Sequence, residues 1–300
     1  MQLRKTAIFA TSVAIVLLAL SSIASAGSYS AVIVYGDSLS DNGNLYGAIG
    51  YPPSPPYYNG RFSNGPVAVE QTASILGAPL VDFAVGGATS GIGNYVDGGS
   101  ATSMGAYGLP GIQLELLGST STLSGLNLSS ALFVVWGGAN DFLTGGNPVS
   151  AAANIDAIVS ALQADGAQHI LVPGVPDLGL TPDFYGYAPA TAFAQAFNAA
   201  LQAGLPSGAV YFDTFGLMHT IVSNPSAYGF TDVTDPCFNG SSVCSDPGQY
   251  LFWDGFHPTT AADTILANDF AVAVPEPSSL LLMGSGLGGL LLLFRRQRTA

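Results

Sequence analysis

Short apolar runs recur along the chain, separated by longer stretches of mixed polarity. Ala31–Tyr35 (AVIVY), Leu80–Phe83, Leu132–Trp136 (LFVVW), His169–Val172 and Ala209–Phe212 are each four or five residues, rich in β-branched or aromatic side chains. Runs of this kind, punctuated by Gly and Pro, read as strands buried on both faces. Helix-period patterns fall between and after them, at about Pro66–Leu76, Ile112–Leu117, Ala151–Ala164, Thr191–Ala203 and Thr259–Val272, and Phe215–Val222 also reads as helix. Asn64 and Pro66 offer the first helix a cap and an N1 residue. The alternation predicts an α/β domain: a parallel sheet with helices on both faces. No internal repeat interrupts it. Gly86–Gly108 and Asn224–Gln249 fit neither period; loops of that length serve as lids and binding walls, or are mobile filler.

The two ends have other patterns. Residues 1–26 run from Arg4 and Lys5 through an apolar stretch, Ala7–Leu20, to Ala24-Ser25-Ala26. That is the layout of a secretory signal peptide, and the alternative is a retained anchor for which the stretch is short. Residues 274–300 begin Val-Pro-Glu-Pro, continue as the Leu/Gly-rich run Leu280–Phe294 and end with Arg295, Arg296 and Arg298. Fifteen apolar or small residues are marginal for a bilayer span, and the basic cluster would favour a cytoplasmic end. What lies between, 27–273, is long enough for one sizeable α/β domain.

Charge narrows the function. Five of the six Lys and Arg side chains sit in the two end segments, so the central domain sets 18 acids against Arg61 alone, a formal −17. Such a surface repels phosphate backbones and anionic headgroups, which argues against a nucleic-acid partner and confines membrane contact to the C-terminal tail. The absence of lysine from the domain excludes a P-loop lysine, a Schiff base and a Ser-Lys dyad. Cys237 and Cys244 are too few for a zinc cluster and have no adjacent His. In an exported chain they read as one local disulfide, worth roughly 2 kcal/mol, or as two free thiols.

Three polar motifs follow predicted strands directly: Gly36-Asp37-Ser38-Leu39-Ser40-Asp41-Asn42-Gly43-Asn44, Ala84-Val85-Gly86-Gly87-Ala88-Thr89-Ser90, and Gly137-Gly138-Ala139-Asn140-Asp141. In a parallel sheet all three lie at the carboxyl edge, where open α/β folds bind ligands. A flavodoxin-like strand order, 2-1-3-4-5, would place Gly87 and Asn140 on either side of Ser38. The Ser38 and Gly87 backbone N–H groups and the Asn140 amide could then serve a tetrahedral oxyanion, with Ser38 as nucleophile. The base follows by elimination. His169 begins a strand and His219 sits in an apolar helix, whereas His257 lies in Trp253-Asp254-Gly255-Phe256-His257-Pro258, where Asp254 is placed to fix its tautomer. Asp37 and Asp141 read as braces for their loops. Thr89 and Ser90 read as loop hydrogen-bonding residues or substrate contacts, and Tyr51–Tyr58 as an apolar wall or a PPII-like surface segment.

Gly36-Asp-Ser-Leu, Gly87, Gly138-x-Asn140-Asp141 and Asp254-x-x-His257-Pro258 together resemble the four sequence blocks of the GDSL (SGNH) hydrolases, in the family's order, across about Ser30–Ala271. The longer string through Asn44, with Gly60–Pro66 and Asp82–Ala88, is most similar to the lipase/acylhydrolase branch. The resemblance implies a three-layer α/β/α fold, Ser38 as nucleophile, His257 as base oriented by Asp254, Gly87 and Asn140 in the oxyanion hole, and neither metal nor cofactor. The tail resembles the PEP-CTERM sorting signal, which implies a bacterial envelope or extracellular protein and an exosortase-type processing partner. The expectation is therefore a secreted serine esterase or lipase acting on a small-molecule, lipid or polysaccharide ester. Its rivals are a carbohydrate O-acetylesterase, an acyltransferase, and a surface or matrix binding module without turnover.

Overall fold

A computed structural model describes residues 29–274. The expected signal peptide, 1–26, and the tail from 275 onward lie outside the described residues. Within them, no helix is long and apolar enough to cross a membrane.

The chain runs β1 Val32–Gly36, α1 Asn44–Ile49, α2 Ala68–Ile75, β2 Leu80–Asp82, α3 Ile112–Leu123, β3 Leu132–Trp136, α4 Ala139–Leu143, α5 Pro148–Ala164, β4 His169–Pro173, α6 Ala188–Gly204, β5 Ala209–Phe212, α7 Thr214–Ser223, β6 Asp232–Pro236, β7 Tyr250–Phe252 and α8 Thr260–Ala273, with short 3₁₀ turns between. Five strands form one parallel sheet in the order β2-β1-β3-β4-β5. This is the flavodoxin-like order expected from the sequence.

Alternation along the strands separates the two faces. Ile33 and Tyr35, Phe133 and Val135, and Ile170 and Val172 share a core with α3, α5 and α6. Trp136, of opposite parity in β3, instead meets Phe270 of α8 edge-on, with ring centroids 5.5 Å apart, and Phe212 packs on the same ring at 4.9 Å. Helices thus cover both faces, and the result is three layers. A second core lies between α7, β7 and α8, built on Met218, Ile221, Leu251, Phe252 and Ala262.

Several details depart from the sequence expectation. Asn64 does not cap α2. That helix starts after Val67, whose N–H is bound by Glu70 at 3.0 Å, while Asn64 Oδ1 accepts the N–H of Thr260, the first residue of α8, at 2.8 Å. The side chain therefore ties the start of the last helix to the loop before α2. The same Glu70 holds Arg61 in a two-pronged ion pair at 2.6 and 3.1 Å. The unassigned stretch Asn224–Gln249 contains β6, which pairs in parallel with β7. Cys237 and Cys244 face each other there with sulfurs 2.02 Å apart. Their loop lies against the strand leading to Asp254: Cys237 N–H donates to Phe252 O at 3.0 Å and Phe238 N–H to Trp253 O at 2.6 Å.

Candidate active site

The carboxyl edge of β1 carries Ser38, flanked by the loop after β2 and by α4 after β3. The loop between β7 and α8 closes over it. Trp253 N–H donates to His257 O at 2.7 Å, which folds residues 253–257 into a tight turn. Within that turn Asp254 Oδ1 accepts the N–H groups of Phe256 (2.9 Å) and His257 (2.8 Å). The carboxylate also faces His257 Nδ1, at 2.9 Å from both oxygens. With Nδ1–H committed to the carboxylate, Nε2 is the acceptor, and Ser38 Oγ lies 2.8 Å from it. Phe62, almost fully buried, packs its ring 4.8 Å from the imidazole centroid and limits how far it can tilt. Burial pushes the Asp254 carboxyl up, but the charge and hydrogen bonds of His257 and the two backbone N–H groups outweigh it, and the group sits below the usual carboxylate range.

The donors opposite Ser38 are arranged as its chemistry requires. Neither the Ser38 nor the Gly87 N–H has an acceptor among the described residues, and both residues line the pocket. Gly87 takes φ +81°, and a Cβ there would come 2.5 Å from both Asn94 Oδ1 and Val96 Cγ2, so glycine is required. Asn140 stands in the first turn of α4. Its Nδ2 donates to Ala88 O at 3.0 Å and, more weakly, to Asp37 Oδ2 at 3.3 Å. The amide is therefore fully engaged at rest, and a substrate oxygen would take over the longer bond.

A layer of acids holds these pieces in register. Asp141 accepts both the N–H and the hydroxyl of Ser90 at 2.8 Å. Thr89, also fully buried, bonds Gly93 O, so Thr89 and Ser90 are loop braces and not pocket residues. Asp37 is buried to 1% exposure; burial pushes its carboxyl up to about 7, against the pull of the Leu39 N–H and His257. Three further acids contribute, of which only Asp41 carries a sequence signal. Glu115 on α3 accepts Gly36 N–H at 3.0 Å with one oxygen and Val85 N–H at 3.1 Å with the other, clamping the end of β1 to the loop that carries Gly87. Asp41 accepts Gly86 N–H at 2.7 Å along with three N–H groups of its own turn, and Asp82 holds Asn42 and Ala84. Burial drives Glu115 and Asp82 well above the usual carboxylate range and raises Asp41. The Asp41-Asn42-Gly43 turn was the one cue available, since Asp before Asn-Gly commonly accepts its own backbone N–H groups.

Tyr57, which the sequence offers only as part of the Tyr51–Tyr58 wall, joins the site directly. Its hydroxyl donates to Asp254 Oδ2 at 2.7 Å, from within the Pro-rich aromatic segment, and its ring packs edge-on against Phe62, Phe238 and Trp253. Tyr51 from the same segment lines the pocket. The other two histidines stand elsewhere: His169 begins β4, and His219 on α7 bonds Asp177 at 2.9 Å.

The pocket in front of Ser38 has a volume of about 150 Å³. Besides the catalytic and oxyanion residues, Asp37, Thr181 and the phenols Tyr51 and Tyr95, the lining is apolar and includes Val96, Leu143, Phe184 and Phe256. A polar, preorganised edge facing an apolar chamber suits a ligand with one polar reacting group and a hydrocarbon part.

The chain is 32% identical over 232 residues to the phosphatidylcholine-sterol acyltransferase of Aeromonas hydrophila, covering 72% of this chain and 67% of that protein. It is 30% identical over 271 residues to the thermolabile hemolysin of Vibrio parahaemolyticus, covering 79% of this chain but only 62% of the relative, less than two thirds of its length. A solved member of the lipolytic G-D-S-L family from Veillonella parvula aligns with a TM-score of 0.45 at 14% identity, over 80% of this chain and 95% of that one. A PEP-CTERM protein-sorting motif matches 273–297, which marks the chain for export and sorting at the cell envelope. The model of GDSL-like lipase/acylhydrolases matches residues 32–270, nearly the whole described domain, and the chain belongs to that family of ester-cleaving serine hydrolases.

Proposed function

We propose that the protein is an exported serine ester hydrolase working through Ser38, His257 and Asp254. The observation that carries this reading is the unbroken line from Asp254 through His257 to Ser38 Oγ, at 2.9 and 2.8 Å, ending at an apolar pocket with two uncommitted N–H donors. His257 Nε2 takes the Ser38 proton as Oγ attacks the ester carbonyl carbon. The carbonyl oxygen becomes an oxyanion facing the Ser38 and Gly87 N–H groups and the Asn140 amide. Collapse breaks the bond to the alkoxy oxygen, which leaves as alcohol with the proton from His257. Water repeats the sequence on the acyl-enzyme and releases the acid. Export by the N-terminal segment and exosortase processing near Val274–Pro277, after transient arrest of the tail in the membrane, complete the proposal.

A fluorophosphonate probe tests it, combined with an ester panel on the full chain. The expected result is labelling at Ser38 and ester turnover, both lost in Ser38→Ala with unchanged Tm. A binding module would show neither, and retention of more than about a tenth of the rate in Ser38→Ala would remove Ser38 from the mechanism, since losing a triad member costs orders of magnitude. Acyl transfer to an alcohol is the second reading, favoured by the similarity to the Aeromonas hydrophila acyltransferase. It would appear as a new ester when a competing alcohol is supplied.

A further inference from the structure

Behind the active-site pocket lies a second cavity of about 60 Å³. It opens inside the second core, between α7, β7 and α8. Thr214, Leu217, Met218 and Ile221 recur at one-turn spacing on α7, and this stripe both packs into the second core and borders the cavity. Leu251 of β7 and Ala262 and Leu266 of α8 close the other sides. Every polar side-chain group on the wall is already engaged. Thr181 Oγ1 donates to Leu178 O at 2.7 Å, Thr214 Oγ1 to Gly174 O at 2.6 Å, and Trp136 Nε1 to the same carbonyl at 3.0 Å. The cavity thus presents almost only hydrocarbon. Such a space holds water poorly and accepts apolar guests.

Its position identifies the guest. Leu39, Pro176, Thr181 and Phe256 line both this cavity and the pocket at Ser38. Leu39 follows the nucleophile directly and Phe256 precedes the base, so the partition between the two chambers is formed by neighbours of the reacting groups. We propose that the second cavity is the seat for the distal methylenes of a linear acyl chain, which passes from the Ser38 ester between Leu39 and Phe256. This rests on the ester hydrolase reading and deepens it: the favoured substrates carry medium-length unbranched acyl groups, not acetyl. Each methylene taken from water into the cavity is worth about fourfold in kcat/KM.

The experiment compares kcat/KM for p-nitrophenyl decanoate with that for the butyrate, on the full chain and two variants. Leu217→Trp fills the cavity, and the decanoate-to-butyrate ratio should fall at least tenfold. Leu266→Ala enlarges it, and the ratio should rise, with the optimum moving to longer chains. A ratio within twofold of the parent in both variants overturns the assignment while leaving the hydrolase reading intact. Should Leu217→Trp fail to fold, the direction of change in Leu266→Ala decides. Absence of turnover and of Ser38 labelling in the parent chain would instead overturn the hydrolase reading, and this inference with it.

Discussion

Tyr57 donates its hydroxyl to Asp254 Oδ2 at 2.7 Å, across 197 residues of sequence, and so extends the Ser38–His257–Asp254 line by one member. Asp254 is nearly buried, with its Oδ1 taken by two backbone N–H groups and the imidazole, and Tyr57 supplies the remaining partner for Oδ2. A carboxylate so saturated has one orientation, and it passes that orientation to His257.

Tyr57→Phe removes this bond and little volume. Hydrogen bonds to charged groups contribute roughly 1.5–3 kcal/mol, part of which the carboxylate recovers by relaxing. The expected outcome is a kcat lower by about 3–10-fold with KM nearly unchanged, below the full range because of that recovery. Losing a donor leaves the Asp254 carboxylate more basic, which favours the protonated over the neutral imidazole, so the acid limb of kcat/KM should move to higher pH. A variant with altered KM, unchanged kcat and an unmoved acid limb would reduce Tyr57 to a pocket wall.

Asn140→Ala tests the oxyanion assignment. Because the amide is engaged with Ala88 and Asp37 at rest, its service to the transition state is an exchange of the 3.3 Å bond for a shorter one to charged oxygen. Removal of such a donor lowers kcat by about 10²–10³. Steady-state kinetics on a short ester should show that loss with KM within a few-fold. Unchanged kcat would make Asn140 a brace for the Ala88 loop and no more.

The extent to which the molecule was legible beforehand follows from which interactions are local. The strands of the main sheet declared themselves because β1 and β3 are apolar at every position, and the motifs at their ends then fell beside one another. The β6–β7 pair was invisible: Asp232–Pro236 reads DVTDP, half-buried and polar, and Tyr250–Phe252 is three residues long. Asn64-x-Pro66 has the form of a local cap, yet its partner is Thr260, nearly two hundred residues on. Glu115 sits among leucines on α3 and looks like the one solvated position of that turn, whereas it faces two backbone N–H groups in the interior. Long-range polar contacts of this kind leave no period in a sequence.

Glu115→Gln probes that clamp. The parent carboxylate accepts from Gly36 with one oxygen and from Val85 with the other. Glutamine has a single acceptor oxygen, so its NH₂ would confront one buried N–H, most favourably that of Val85, which keeps Gly36 O at 3.2 Å as a second acceptor, and the cost falls at the low end of the range for a buried donor. An unsatisfied buried donor costs about 1–3 kcal/mol, and each kcal/mol corresponds to roughly 2–4 °C in Tm for a domain of this size. Calorimetry should therefore show a drop of a few degrees, narrowing as pH rises and the parent carboxyl ionises. Kinetics should show a fall in kcat as the Ser38 and Gly87 N–H groups lose their common support. An unchanged Tm would mean the clamp contributes nothing.

The same buried acids set the direction of the pH dependence of stability. Glu115, Asp82 and Asp263 are driven well above the ordinary carboxylate range by burial, Asp41 is raised, and Asp37 reaches about 7. In the unfolded chain these groups return to about 4. Between that value and their folded values the native state therefore holds more protons than the unfolded state. By linkage, stability must fall as pH rises through this window, and it is highest where the groups are still protonated in both states. Asp254 works the other way: its carboxyl is lowered in the fold, so its contribution is present above about 4 and is lost only as pH falls through the folded value. The five raised groups outnumber Asp254, so from about pH 4 upward the falling trend prevails. Even ~2 kcal/mol of linkage corresponds to about 4–8 °C, so Tm at pH 5 should exceed Tm at pH 8 by several degrees. The slope should be shallower in Glu115→Gln, which removes one of the titrating groups. A Tm at pH 8 equal to or above that at pH 5 would show that these carboxyls remain ionised in the folded protein.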